Sequence, residues 1–252
     1  MPFTFTVEEL AIILGALALG GLVKGITGMG LPLVTVPVLA EFLGVERAVL
    51  TMIIPTLVLN AYQVWTNRDA NSEVPELPRL LLAGIPGAAV GAAVLYLASE
   101  RFLAAMLGIW LFGFVLLRLA RPEFSLSLAS RMRWSPLVGA GAGGLQASTG
   151  IAAPIIAPYA DSLGLRPHAY VYAVSAAFGA FAVFHFAIVA GARLYTPELL
   201  TQSVIAVIPA AAFIPVGTWL RRVVSRSTFN VFVCVLLAVM SVRLMYIAWV
   251  GS

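Results

Sequence analysis

The sequence predicts an all-α polytopic membrane protein built from two homologous repeats of four hydrophobic elements. Three observations predict it. Of 252 residues, 61% are hydrophobic and only 10% charged, where a soluble domain carries about a quarter of its residues as charges. Apolar runs long enough to cross a bilayer as helices recur along the chain. A glycine-rich break ending in proline occurs once in each half.

The first run, 8–24, follows acids at Glu8 and Glu9 where a cleavable leader would be basic, so it is expected to stay in the mature fold. It continues as Lys24-Gly25-Ile26-Thr27-Gly28-Met29-Gly30-Leu31-Pro32. Gly25, Gly28 and Gly30 let the chain turn, and Pro32 suits the first turn of a new helix over 31–43. Thr27 is placed to cap it. Runs 46–66, 78–97 and 101–119 complete a first repeat, 1–119. The stretch 120–133, ARPEFSLSLASRMR, is the most polar long segment and reads as a link. A second repeat, 134–252, then runs as 134–146 broken from 151–163, followed by 167–191, 200–220 and 227–249.

A shift of 122 residues lays Thr149, Gly150 and Pro154 over Thr27, Gly28 and Pro32. Ile85-Pro86 meets Ile208-Pro209 at a shift of 123. Duplication is the reading adopted. Basic residues then set the orientation. If all eight elements cross, they divide eight against six, which orients nothing. If each broken first element enters and returns on one side, they divide ten against four. That is the asymmetry of the positive-inside rule, with both termini outside the cytoplasm. The expected architecture is therefore two inverted repeats, each beginning with a glycine-broken re-entrant or discontinuous helix.

A broken helix in lipid is tolerated where protein or a wet cavity surrounds it, and its unpaired N–H groups and positive dipole end attract an anion. The candidate anion-binding residues are Lys24, Thr27, Gly28 and Gly30 at the first break and Gln146, Ser148, Thr149 and Gly150 at the second. With inverted repeats, the two broken ends are expected to frame one central site. Lys24, the only lysine, would add charge there, or would snorkel to a headgroup. Glu41, Asp161, His185, Asn60 and Tyr62 are polar enough to line a path or carry a coupled proton, and the two acids also suit interfacial solvation. The small-residue pattern of the breaks also suits helix packing.

The net charge of +4 comes from arginines lying between apolar runs, where they meet lipid headgroups. It points to no nucleic-acid partner. A single cysteine, Cys234, permits no intrachain disulfide or cysteine-based metal site. No cofactor or metal motif occurs, and neither a nucleophile elbow, a His-Glu-x-x-His nor a Walker loop is present. A secondary carrier, possessing no nucleotide-binding segment and driven by an ion or substrate gradient, is the leading reading. An anion channel and a membrane-embedded enzyme are the alternatives, and a homodimer is an assembly open to it.

With GGLVKGITGMGLPLVTVP and GAGGLQASTGIAAPIIAP opening the halves, and GIPGAAVGAAVL answered by VIPAAAFIPVG, the chain resembles the sulfite exporter TauE/SafE family of bacterial membrane permeases. The resemblance covers essentially the whole length. The family's motif glycines fall on Gly21, Gly25, Gly28 and Gly30, with Pro32 and Pro37, and in the second half on Gly143, Gly150, Pro154 and Pro158. It implies a multi-pass protein of the bacterial inner membrane carrying a small anion such as sulfite, a sulfonate or sulfoacetate. Ala152 and Ala153 stand where that motif has glycine, and Lys24 is foreign to it.

Overall fold

The computed structural model describes residues 7–120, 125–223 and 225–250. Arg121 of the charge count and the side chains of Glu9 and Arg226 lie outside the described residues. The helices are α1 Val7–Thr27, α2 Leu31–Leu43, α3 Val45–Thr66, α4 Leu77–Leu97, α5 Glu100–Ala120, α6 Leu128–Thr149, α7 Ala153–Ser162, α8 Pro167–Gly191, α9 Pro197–Leu220 and α10 Arg226–Val250. A short 3-10 helix, Arg68–Glu73, joins α3 to α4. Among the described residues, seven helices are long and apolar enough to cross a membrane: α1, α3, α4, α5, α8, α9 and α10. The chain is an all-α polytopic membrane protein.

Residues 28–30 separate α1 from α2, and residues 150–152 separate α6 from α7. Gly28 and Gly30 have φ of 82° and 97°, and Gly150 has φ of 74°, left-handed values that a side chain would strain. After the first break the chain folds back, because Thr35 Oγ1 donates to Ala16 O at 3.2 Å. In one continuous helix those residues would be about 28 Å apart. After the second, Ile155 Cδ1 lies 3.3 Å from the position of a Cβ on Gly141.

Residues 128–133 already belong to α6, since Ser127 Oγ accepts from Ser130 N at 3.3 Å and so caps the helix. Arg131 reaches across to the Leu163 carbonyl. These polar side chains sit at a helix end rather than in a loop.

Small residues decide the packing. A Cβ on Gly87, Gly91 or Gly139 would lie 2.0–2.1 Å from a carbonyl of the facing helix, bringing α4 and α6 into backbone contact. Gly21, Gly25 and Gly217 do the same for α1 and α9, at 2.1–2.2 Å. Each broken first helix thus packs on the helix that carries the Ile-Pro pair of the other half. Between these pairs, α3 lies against α8 and α5 against α10. Asn67 meets His168, Gln63 meets Ser175 and Asn60 meets Gly179, so α3 and α8 are antiparallel. Arg101 bonds the Ala248 and Trp249 carbonyls while Gly108 meets Met245, so α5 and α10 are antiparallel too.

Polar contacts gather at two ends. One end holds Arg166 with Glu73, Arg118 with Asp161 and Arg131 with Leu163. The other holds Arg47 with Gln202, Arg101 with the end of α10 and Arg243 with Glu41. Between them lies an apolar core including Leu39, Leu107, Leu111 and Leu237, each fully buried. Trp65, Trp134, Trp219 and Trp249 are exposed near helix ends, as interfacial anchors would be.

Candidate functional site

The turn from α1 to α2 forms one wall of a cavity of about 350 Å³, within the size range of small-molecule sites. Thr27 and Gly30 line it from the break, with Arg118 from α5, Asp161 from α7, Tyr170 from α8, Arg221 just beyond α9 and Cys234 from α10. Gly30 is the N-cap of α2 and supplies no side-chain cap. The first N–H groups of α2 therefore need acceptors from elsewhere. Arg118 lies 3.1 Å from Asp161, and Arg221 is exposed. Two guanidinium groups against one carboxylate leave the wall positive, so an anion fits it.

Lys24 stands one helical turn before Thr27 and is 1% exposed. Its Nζ donates to Asn60 Oδ1 at 2.7 Å, and Asn60 Nδ2 donates to the Thr56 carbonyl at 2.7 Å. The amide is thereby fixed with its oxygen toward the ammonium. Neither residue is part of the cavity lining. Gly28 is pressed against Val171, whose Cγ2 would lie 2.8 Å from a Cβ there.

Around the second break the arrangement differs. Gln146, Gly150, Thr56 and His185 share a void of about 10 Å³, barely enough for one water. Gln146 Nε2 donates to the Phe178 carbonyl at 2.9 Å. His185 is 2% exposed, and its Nε2 has no hydrogen-bond partner among the described residues. The hydroxyls of Ser148 and Thr149 donate to carbonyls one turn back, at 2.8 Å and 2.7 Å. Thr27 does likewise to Val23, at 2.9 Å. These three hydroxyls bond back into the last turn of their own helices.

The two breaks do not meet end to end. A Cβ on Gly150 would lie 3.0 Å from Val36 Cγ2, while Ala157 joins Gly30 in the larger cavity. The second break therefore lies against the middle of α2. Thr27 and Gly30 of the first break line the larger cavity, and Gln146 and Gly150 of the second line the smaller one.

Of the remaining candidates, Asp161 lines the larger cavity and Glu41 is paired with Arg243. Tyr62 is 63% exposed and lines neither cavity. Sequence reasoning missed Arg118, Arg221 and Tyr170 as site residues. It counted the arginines for orientation, and no local motif marks their convergence from α5 and the end of α9. Among the described residues, no three His, Cys, Asp or Glu side chains are grouped to hold a metal ion.

Against known families, a model described as Sulfite exporter TauE/SafE matches residues 12–244, almost the entire chain. No curated protein matches it, and no solved structure does.

Proposed function

The chain belongs to the sulfite exporter TauE/SafE family, and from that premise we propose that it is a secondary carrier. Its cargo is a small sulfur-containing or organic anion of the sulfite, sulfonate or sulfoacetate type, moved across the bacterial inner membrane. The observation that carries this reading is the cavity in which Arg118 and Arg221 converge on the uncapped start of α2 beside Thr27 and Gly30. Guanidinium forks and backbone N–H groups match the oxygens of such an anion. Lys24, one turn away, adds positive charge through the low-dielectric interior rather than by contact.

The architecture proposed with it is a pair of inverted repeats, 1–119 and 134–252, joined across 120–133, with α1–α2 and α6–α7 as re-entrant hairpins. Exchanging the halves maps the α4–α6 packing onto α9–α1 and maps α3–α8 and α5–α10 onto themselves. The antiparallel run of both self-paired helix pairs supports a relating axis across the helices, as inverted repeats require. Arg118 and Arg221 share one cavity, as ten-against-four places them and eight-against-six does not. Fully buried Leu39, Leu107, Leu111 and Leu237 close the protein behind the cavity, which favours a carrier over an open channel.

Vesicles containing the purified protein, offered sulfite, sulfoacetate, sulfate and chloride, test this. Saturable uptake of a sulfur oxyanion, weakened by Arg118→Gln and Arg221→Gln, is expected. Failure of every anion to cross refutes the reading, and flux linear in concentration replaces the carrier with a channel.

A further inference from the structure

Glu76 precedes α4 and is 1% exposed, although it lies near the end of the molecule where the arginines gather. Neither carboxylate oxygen has a hydrogen-bond partner among the described residues. The side chain faces a void of about 20 Å³ lined by Leu80 of α4, Ile156 and Tyr159 of α7 and Val174 of α8. Such a void has room for one water. A bare carboxylate without donors is strongly unfavourable there. A proton on either oxygen, together with one water, supplies the missing partners.

The same residue type recurs at the matching place in the second half. Pro75-Glu76-Leu77 and Pro197-Glu198-Leu199 coincide at the 122-residue shift, yet Glu198 is exposed at the start of α9. An acid in the first turn of a helix is ordinary; an acid there that is buried and unpartnered is not. The asymmetry separates a structural role, common to both, from a role special to Glu76.

Helix α7 connects this carboxyl to the anion cavity. Its Ile156, Tyr159 and Ala160 line the void around Glu76, whereas Ala157 and Asp161 on the other side line the anion cavity. One half-helix is thus the partition between the two. The other groups facing Glu76 are few. Tyr159 contributes its phenol from α7, bonded at 3.5 Å to the Arg131 carbonyl. Arg131 of α6 is the cation beside Tyr159, and the α8 residues lining the void are Ala173, Val174 and Ala177, without charge. Among the described residues, no ring of oxygens lines the void to replace the hydration shell of a metal cation.

We propose that Glu76 is the carboxyl that binds and releases the proton coupled to anion movement, its occupancy being read by α7. This rests on the carrier reading above. A neutral Glu76 lets α7 pack against α8 and close the void it shares with the start of α4; loss of the proton favours an α7 position in which the void is hydrated. One proton per monovalent anion lets each pH unit sustain about a tenfold anion gradient.

Two measurements on wild type, Glu76→Gln and the control Glu198→Gln test it. Infrared difference spectra of the full chain in bilayers, taken across a pH titration, should show a neutral-carboxyl band that persists in Glu198→Gln and is absent in Glu76→Gln. In vesicles, accumulation of a monovalent sulfonate, methanesulfonate, driven by one pH unit should fall about tenfold in Glu76→Gln, while exchange at equal pH stays within about twofold of wild type. Glu76→Gln spectra identical to wild type, or undiminished pH-driven accumulation, overturn the proposal. If Glu76→Gln does not fold, Glu76→Asp takes its place in the spectra, and an unshifted carboxyl band overturns the proposal in the same way. A wild type that moves no anion yet shows the Glu76 band refutes the carrier reading while upholding the proton site.

Discussion

Arg118 of α5 and Asp161 of α7 are paired at 3.1 Å in the wall of the larger cavity, and Arg243 of α10 pairs with Glu41 of α2 at the opposite end. Each pair joins the half-helix of one half to the last helix of the other. In the cavity, Asp161 occupies the guanidinium that an anion would need. Asp161→Asn is therefore expected to lower the KM for sulfoacetate several-fold. Arg118→Gln removes a charge-assisted bond of about 1.5–3 kcal/mol and should raise that KM by about ten- to a hundredfold. Initial uptake rates in vesicles measure both, and opposite signs in the two variants identify Arg118 as the competing partner.

Lys24 and Asn60 form a buried charge-to-amide bond whose two ends are not equivalent. Asn60→Leu leaves an ammonium without an acceptor and is expected to cost about 3–5 kcal/mol. Lys24→Met removes the charge and strands only an amide oxygen, costing about 1–3 kcal/mol. Thermal unfolding in mild detergent orders them. Equal losses would mean that Asn60 does not hold Lys24.

Much of the fold is legible in the sequence, for reasons particular residues make plain. Apolar length fixes α3, α4, α5, α8, α9 and α10 nearly to their ends, and Gly28, Gly30 and Gly150 mark both breaks because the chain turns there through left-handed backbone. The start of α6 is hidden, since Ser127 and Arg131 satisfy a helix end with residues that hydropathy reads as loop. The cavity is less legible than the helices. Thr27 and Gly30 belong to a local motif, but Arg118 and Arg221 are about a hundred residues apart and converge only through the packing of α5 and the end of α9. Lys24 was visible as a buried charge; its partner Asn60, thirty-six residues away, was visible only as a polar residue in an apolar run.

Glycine substitutions should divide by what faces them. In Gly91→Ala and Gly21→Ala the new methyl would meet a carbonyl 2.1 Å away, forcing helices apart at a cost of about 1–3 kcal/mol. Gly15 and Gly113 have nothing within 4 Å, so alanine there gains about 0.5–1 kcal/mol of helix stability. Melting temperatures in one detergent should move in opposite directions for the two classes.

At the end of the 3-10 helix, Glu73 accepts two bonds from Arg166, at 2.6 and 3.1 Å. Those bonds hold its carboxyl below the usual carboxylate range. A depressed acid stabilises the fold above its unfolded-state value and loses that contribution as pH falls through its folded value. The wild type should lose melting temperature in that acidic window by more than Glu73→Gln does. Parallel acid dependence in the two proteins would show that the pair adds nothing.

The side of the membrane on which Arg222 lies separates the two arrangements of the repeats. In a Cys234→Ala background, Ser72→Cys, Ser130→Cys and Arg222→Cys should all react from the cytoplasmic face, and Ser99→Cys and Thr196→Cys from the other. Inverted repeats demand this division, because the first element of each half enters and leaves on one side. Eight full crossings instead put position 222 with position 99, opposite position 72. Positions 72 and 130 share a face in both arrangements, so they orient the protein without choosing between them. Labelling of intact cells with a membrane-impermeant maleimide, before and after lysis, therefore turns on Arg222→Cys. Its protection until lysis is the expected result, and its reaction alongside Ser99→Cys would overturn the re-entrant hairpins.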